Sequence, residues 1–465
     1  MVIIQANDWT QLLKQVDKNS NKPVFISFTK KINDVDPLQF FRKTESQFNN
    51  ERFFWTNPER STYIVGAGVT KEFKPSGKNN RYKDIEESWE AFLQDGIIND
   101  PIISPLLFGG FSFDPLKENT VLWNTFSDAA FVLPTFMLSV KEEHCYLTIN
   151  IMTDATNDEI IHLKNIEEEL LHSNSLSKQM EALPSLFSYK EMEPEKWKES
   201  IREVTTKINN NEMEKVVLAR ELRVTFSNEI PVEIVLENLL EEQQNSYIFA
   251  FVKNGDCFIG ATPEQLVQKK EQEIISMCLA GSTKRGQTLH QDEQLGLELL
   301  SDEKNLHEHH LVVKMIKESL QSVCEYVETD DSPSLRKLKH IQHLYTPVKA
   351  TGNESTSLLD LVEKLHPTPA LGGYPTNIAM KTIREVELLD RGWYASPIGW
   401  FDSNNNGEFA VAIRSGLIQK NEASLFAGCG IVADSDPESE YEETKVKFKP
   451  MLSALGGIIS NDSNK

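Results

Sequence analysis

With 465 residues, of which 39% are hydrophobic and 25% charged, the chain has a globular composition and enough material for a large core. Its formal net charge of −22 excludes a nucleic-acid binder, which needs a basic face, so any anionic ligand must be drawn in by local cations or a metal. No run of about 18 apolar residues exists to cross a membrane, and the start, MVIIQANDWTQLLKQV, lacks the basic-then-apolar order of a signal peptide. The five cysteines, at 145, 257, 278, 324 and 429, show no CxxC spacing. A cytoplasmic protein with free thiols is expected.

Residues 1–100 read as helical stretches broken by polar turns such as Lys74–Tyr82. From Leu106 the text turns strand-like, with LLFGGFSFD, AAFVLPTFMLSV and CYLTINIMT in succession. An acidic helix is expected from Asn157, as its N-cap, to Ala182. Segment 183–194, with two prolines and two serines, is the best candidate boundary. Pro194 then opens a helix whose Trp197, Ile201, Val204 and Ile208 recur at helical spacing. Strands are predicted at Lys215–Thr225, Tyr247–Val252, Cys257–Gly260 and Ile274–Ala280, and a helix at Val232–Leu240. A long helix should run from Asp302 to Val327, and a last one should start at Pro437 with Asp436 as its cap. Short polar links between strands favour antiparallel pairing. The pattern is α+β, with large antiparallel sheets flanked by helices. It divides into 1–190 and 191–460, read as parts of one intertwined domain.

Chemistry concentrates in five motifs: KVVLARE (Lys215–Glu221), FIGATPEQL (Phe258–Leu266), CLAGSTKRG (Cys278–Gly286), EKNLHEHH (Glu303–His310) and GCGIVADSDPESEYEET (Gly428–Thr444). Lys215 shares a strand face with Val217 and Ala219 and can point into a pocket. It serves as a base if burial or nearby positive charge lowers its pKa; a surface lysine fits the pattern as well. Glu264, flanked by apolar residues at a strand end, suits a general acid, and equally an ordinary helix N-terminus. The histidines around Glu308 do not make HExxH, since Leu311 stands where the second His belongs, so the carboxylate is the better ligand. Glu440, Glu443 and Lys447 share one helix face. Glutamates from two helices suit magnesium; a solvated acidic face is the alternative. Arg414, on a strand of small residues, asks for a carboxylate from a ligand or from within the chain. Tyr394, Gly281, Ser282, Gly428 and the Pro-bounded His366–Pro375 segment complete the candidate pocket. DSDPESEYEETK fails as a calcium loop, with Ser439 and Lys445 at the required Gly and Glu positions. GCGIVA lacks the βαβ setting of a dinucleotide fingerprint.

Together, over about 230 residues, these motifs resemble the chorismate-utilising family, and within it the bacterial menaquinone-type isochorismate synthases. The resemblance is loose over 1–190, where FGGFSFD carries it. It implies the anthranilate synthase component I-like fold, with large sheets packed face to face. It implies Lys215 as the base that activates water, Glu264 as the acid that protonates the leaving hydroxyl, and Mg2+ held by Glu308 and Glu443 with Glu440 in support. Arg414, Tyr394, Lys447, Gly281, Ser282 and Gly428 match contacts to the substrate's carboxylates and ring. His343 matches a pocket-lining histidine, and Leu371 falls in TPALGG, the isochorismate-synthase version of one pocket wall. Lys215 separates the chain from anthranilate synthases, and Ala280 from aminodeoxychorismate synthases, which carry a nucleophilic lysine there. Two residues depart from the pattern: Asn305 stands where many relatives have an acid, and Cys278 where proline is usual. The implied reaction is reversible conversion of chorismate to isochorismate, by water addition at C2 and loss of the C4 hydroxyl. With water as nucleophile, no amidotransferase subunit is expected. Rival readings are a salicylate synthase, which goes on to eliminate pyruvate, an isochorismate synthase of siderophore synthesis, and a non-catalytic metabolite binder.

Overall fold

The computed structural model describes residues 1–465 except 5, 7, 16–22, 101, 102, 104, 119, 142, 153, 155, 172–181, 340 and 458–465. Its described strands form one hydrogen-bonded network. Pairing is antiparallel except where Ile97–Ile98 lies parallel to Val2–Ile3 and Phe25–Ile32. Besides a short branch through His144–Met152 to Phe25–Ile32, the network leaves the long strand Ala129–Lys141 in two long arms. One passes through Thr62–Phe73, Glu51–Thr56, Tyr247–Lys253, Asp256–Thr262, Ser415–Gln419 and Glu422–Ile431 to Lys215–Phe226. The other passes through Leu106–Phe111, Pro397–Asp402, Gly407–Val411, Gln265–Lys270 and Glu273–Lys284 to Ile341–Thr351.

The arms pack face to face through aromatic side chains. Phe108 of the second arm lies 6.1 Å from Phe53 and 5.8 Å from Phe251 of the first, between ring centroids. Alternation along a strand explains how both faces are used. In Glu51–Thr56, Phe53 and Trp55 enter the core between the arms. Phe54 points the other way, edge-on to Phe41 of the helix Pro37–Lys43 at 6.0 Å. A strand covered on both sides loses the polar–apolar alternation of an exposed sheet. Each fully buried Phe adds roughly 1.5–3 kcal/mol of transfer free energy.

Several expected elements change extent. Residues 1–100 carry three long strands, Phe25–Ile32, Glu51–Thr56 and Thr62–Phe73, besides their helices. Tyr82 belongs to the helix Arg81–Leu93, not to a turn. The acidic helix is Asn157–Leu171. Asn157 is its first residue, and Thr156 closes a capping box: Glu159 N donates to Thr156 Oγ1 at 3.3 Å and Thr156 N to Glu159 Oε2 at 2.7 Å. The rest of that expectation, 172–181, lies outside the described residues. Within 183–194 a strand, Leu186–Glu191, pairs with Lys215–Phe226. The long helix is Glu303–Gln321, started by Asp302 accepting from Asn305 N at 2.7 Å. It stops short of Val327 because Tyr326–Thr329, rich in β-formers, pairs with Ile341–Thr351. The last helix, Pro437–Ala454, begins as expected, with Asp436 accepting from Ser439 N at 2.9 Å.

Two helices matter for the site. Glu303–Gln321 packs on Glu273–Lys284, and Pro437–Ala454 on Glu422–Ile431. Their first two turns carry Glu308, Glu440 and Glu443 to the place where the two arms end.

Candidate active site

A cavity of about 310 Å3 lies between the ends of the two arms and the two helices. All thirteen candidate residues named from the sequence line it. Five basic side chains (Lys215, Lys304, Arg391, Arg414, Lys447) and four acidic ones (Glu264, Glu308, Glu440, Glu443) share the lining. The cavity is therefore balanced inside a chain of net charge −22, and an anion does not meet the field of the whole surface there.

Lys215 is the first residue of its strand, and only 6% of it is exposed. Its Nζ donates to Glu308 Oε2 at 3.0 Å. Gly430, diagonal to it on the neighbouring strand, makes room: a Cβ there would stand 2.7 Å from Lys215 Cε. Glu264 lies across the cavity in the two-residue break between Asp256–Thr262 and Gln265–Lys270, not at a helix start. It is 5% exposed. Burial pushes its carboxyl up to about 7, against the pull of Arg414, Lys215 and Lys447. A lysine and a half-protonated acid thus face one space.

Arg414 has a left-handed backbone, φ 52°, a conformation that costs energy in any residue but glycine. Among the described residues its guanidinium has no carboxylate within salt-bridge distance. Burial lowers its pKa, opposed by Tyr394, Glu443 and Glu264. An internal partner was one reading of this arginine; among the described residues no such ion pair forms, and the side chain lines the cavity. Tyr394 packs on Phe426, with ring centroids 5.4 Å apart. Its hydroxyl would sit 3.4 Å from a Cβ on Gly428, so Gly428 keeps that approach open. Burial raises the Tyr394 pKa, which keeps the hydroxyl a donor. Lys447 donates to Gly428 O at 2.8 Å and pairs with Glu443 at 2.6 Å.

On the second arm, a bulge between Leu279 and Ser282 breaks the pairing with Ile341–Thr351 and turns Gly281, φ 80°, toward the cavity. His343 pairs with Ser282 across the strands. Burial, then Arg414 and Lys447, push the imidazole down to about 3, so it stays neutral, and its Nε2 has no partner among the described residues. Leu371 closes the wall from the His366–Pro375 segment.

Among the described residues no three His, Cys, Asp or Glu side chains converge as a formed metal cage. The donor set nonetheless fits a hard divalent cation. Glu308, Glu440 and Glu443 come from two helices onto one cavity, and carboxylate oxygens are what such ions take. Glu308 and Glu443 are held by Lys215 and Lys447, flexible partners that can yield. Glu443 is held below the usual carboxylate range by Lys447, Arg414 and Lys215 against its burial, whereas burial raises Glu440, which accepts from Ser435 Oγ at 2.7 Å.

Sequence reasoning missed Arg391, Lys304 and Gly430. Arg391 lines the cavity but spends its donors elsewhere, on Glu387 (Nε and Nη2, both 2.7 Å), Leu371 O (3.0 Å) and Val217 O (2.8 Å). Glu387 caps the end of Thr376–Val386 and Arg391 lies in the loop beyond it, so their spacing of four is no helical pair and gave no sequence signal. Lys304 pairs with Asp434 at 3.0 Å and bridges the two acidic motifs. Asn305, the residue that departs from the family pattern, lies against Gly281, its Oδ1 3.1 Å from where a Cβ would be.

The sequence model of the chorismate binding enzyme family matches residues 11–456. The chain is 45% identical to the isochorismate synthase MenF of Bacillus subtilis (strain 168), over 95% of both chains. It is 33% identical to the salicylate biosynthesis isochorismate synthase of Pseudomonas aeruginosa, over 94% of this chain and 92% of that one. Its structure superimposes on that of MenF, the menaquinone-specific isochorismate synthase of Escherichia coli, with a TM-score of 0.80 at 23% identity, covering 96% and 98% of the two chains. The face-to-face antiparallel arms are thus the fold of that structure, and the chain belongs to the chorismate binding enzyme family.

Proposed function

We propose that the protein is an isochorismate synthase of the menaquinone type, interconverting chorismate and isochorismate. The observation that carries the reading is the pairing of Lys215 with a carboxyl at about 7, Glu264, across one cavity that also holds Arg414. Lys215 takes a proton from water, which adds at C2 of the ring. Both ring double bonds shift, and the C4 hydroxyl departs with a proton from Glu264. The microscopic reverse uses the same two groups in exchanged roles. For Lys215 to act, its bond to Glu308 has to open. Arg414, Lys447 and Tyr394 orient the substrate's carboxylates, and Gly281, Ser282 and Gly428 let the backbone approach the ring. His343 and Leu371 wall the pocket. Held by Glu308 and Glu443, with Glu440 in support, Mg2+ would offset the charge of a ring carboxylate.

In this reading residues 191–460 form the catalytic part, and 1–190 complete the arms behind it. Water as nucleophile needs no ammonia-supplying subunit. Among the described residues no helix is long and apolar enough to cross a membrane. The 45% identity to an isochorismate synthase along nearly the whole chain supports the choice within the family. The test is chromatography of chorismate incubated with protein and Mg2+. Isochorismate as sole product supports the reading, and salicylate with pyruvate would replace it by a synthase–lyase.

A further inference from the structure

We propose that His309 is a positioning residue of this site: it fixes Glu308, a carboxylate assigned to the metal, against the Gly281–Ser282 bulge that meets the substrate. The inference rests on the functional reading above and adds a residue to it. His309 follows Glu308 in the helix Glu303–Gln321 and is 3% exposed. Neighbours on a helix point about 100° apart. Glu308 therefore lines the cavity while the imidazole enters the sheet beneath the helix.

Both ring nitrogens are committed there. Nδ1 lies 2.9 Å from Ala280 O and Nε2 2.8 Å from Thr346 Oγ1. A carbonyl only accepts, so Nδ1 carries the proton, and in the neutral ring Nε2 accepts from the Thr346 hydroxyl. Cys278, the cross-strand partner of Thr346, adds its thiol, which donates to His309 O at 3.6 Å. One side chain thus ties the helix to both Glu273–Lys284 and Ile341–Thr351.

The tie falls where the sheet needs it. Leu279 pairs with Tyr345 and Ser282 with His343, so Ala280 and Gly281 together stand opposite Leu344. Such a bulge interrupts the ladder and leaves a backbone group to be satisfied elsewhere. Ala280 O takes that bond from His309. One turn earlier the same helix face meets the bulge again, with Asn305 Oδ1 3.1 Å from where a Cβ on Gly281 would be. The imidazole therefore sets the spacing between Glu308 and the backbone of Gly281 and Ser282.

The test titrates Mg2+ into the protein by calorimetry, a readout independent of turnover, beside steady-state kinetics and the melting temperature. His309→Ala removes both ring bonds. It raises the Mg2+ Kd about tenfold and lowers kcat at saturating Mg2+ about tenfold. His309→Asn, whose amide N–H can stand in for Nδ1–H, regains most of the Mg2+ affinity. Ile316→Ala, two turns on in the same buried stripe, loosens the helix away from the bulge. It lowers the melting temperature and leaves the Mg2+ Kd unchanged, which separates positioning from mere support of the fold. Wild type that binds Mg2+ and converts no chorismate defeats the proposed function alone, because the affinities still decide the role of His309. That role is overturned by wild type that binds no Mg2+, by a wild-type Kd in His309→Ala, by an Asn variant no better than Ala, or by an equal loss of affinity in Ile316→Ala.

Discussion

Glu264 and Glu408 show why a perturbed carboxyl is not by itself an active-site acid. Burial raises both to about 7. Glu408 is enclosed and accepts from Tyr247 Oη at 2.6 Å and Gln265 Nε2 at 2.8 Å. Glu264 has neither bond and faces the cavity. As a general acid Glu264 works protonated, so kcat/KM should fall as pH rises through about 7, toward tenfold per unit. Glu264→Gln should lower kcat by about 10²–10⁴-fold and remove that limb of the profile. A profile flat from pH 6 to 9 in the wild type contradicts the role. Stability falls in the same direction. The folded-state pKa is raised from 4.5 to about 7, so ionisation costs nothing below pH 4.5 and about 3 kcal/mol above pH 7. Thermal unfolding should therefore find Glu264→Gln more stable than wild type at pH 8, with the difference shrinking toward pH 5. At this scale the site was legible because its residues sit in compact motifs. Arg391 was not, because its donors serve Glu387 and backbone carbonyls, a pairing that only the fold closes.

Between elements, the distances that matter are set by glycines and caps. Gly430→Ala places a methyl 2.7 Å from Lys215 Cε. The lysine has to move, and a displacement of about 1 Å can cost 10²-fold in rate. Steady-state kinetics should show kcat lowered at least about tenfold with the melting temperature little changed; unchanged kcat would mean that Lys215 is not positioned by that contact. Asp436→Ala removes the cap under Glu440 and Glu443 and should cost about 1 kcal/mol in chemical denaturation. Caps and turn residues made the starts of both acidic helices readable, at Asp302 and Asp436. The end of Glu303–Gln321 was not readable. Val323 and Val327 continue the helical stripe, and only pairing with Ile341–Thr351 draws Tyr326–Thr329 into the sheet. In residues 1–100, strands buried on both faces carry no alternation to read, and ERFFWT is the clearest case.

For the whole molecule, the question is how a chain of net charge −22 handles an anion. The answer in this structure is local: five cations converge on four carboxylates inside a cavity formed by both arms. A divalent cation would tip that balance further. Chelation with EDTA should abolish turnover and Mg2+ restore it, and Glu443→Gln should raise the Mg2+ needed for half-maximal rate. Full activity in EDTA contradicts the assignment of the acidic cluster. The central claim is that Lys215 and Glu264 exchange a ring hydroxyl with water. The direct measurement is mass spectrometry of chorismate incubated with the protein and Mg2+ in ¹⁸O-water. One heavy oxygen in an isomer of unchanged formula is the predicted result, lost in Lys215→Ala. An isomer free of label, or a product that has lost pyruvate, would contradict it.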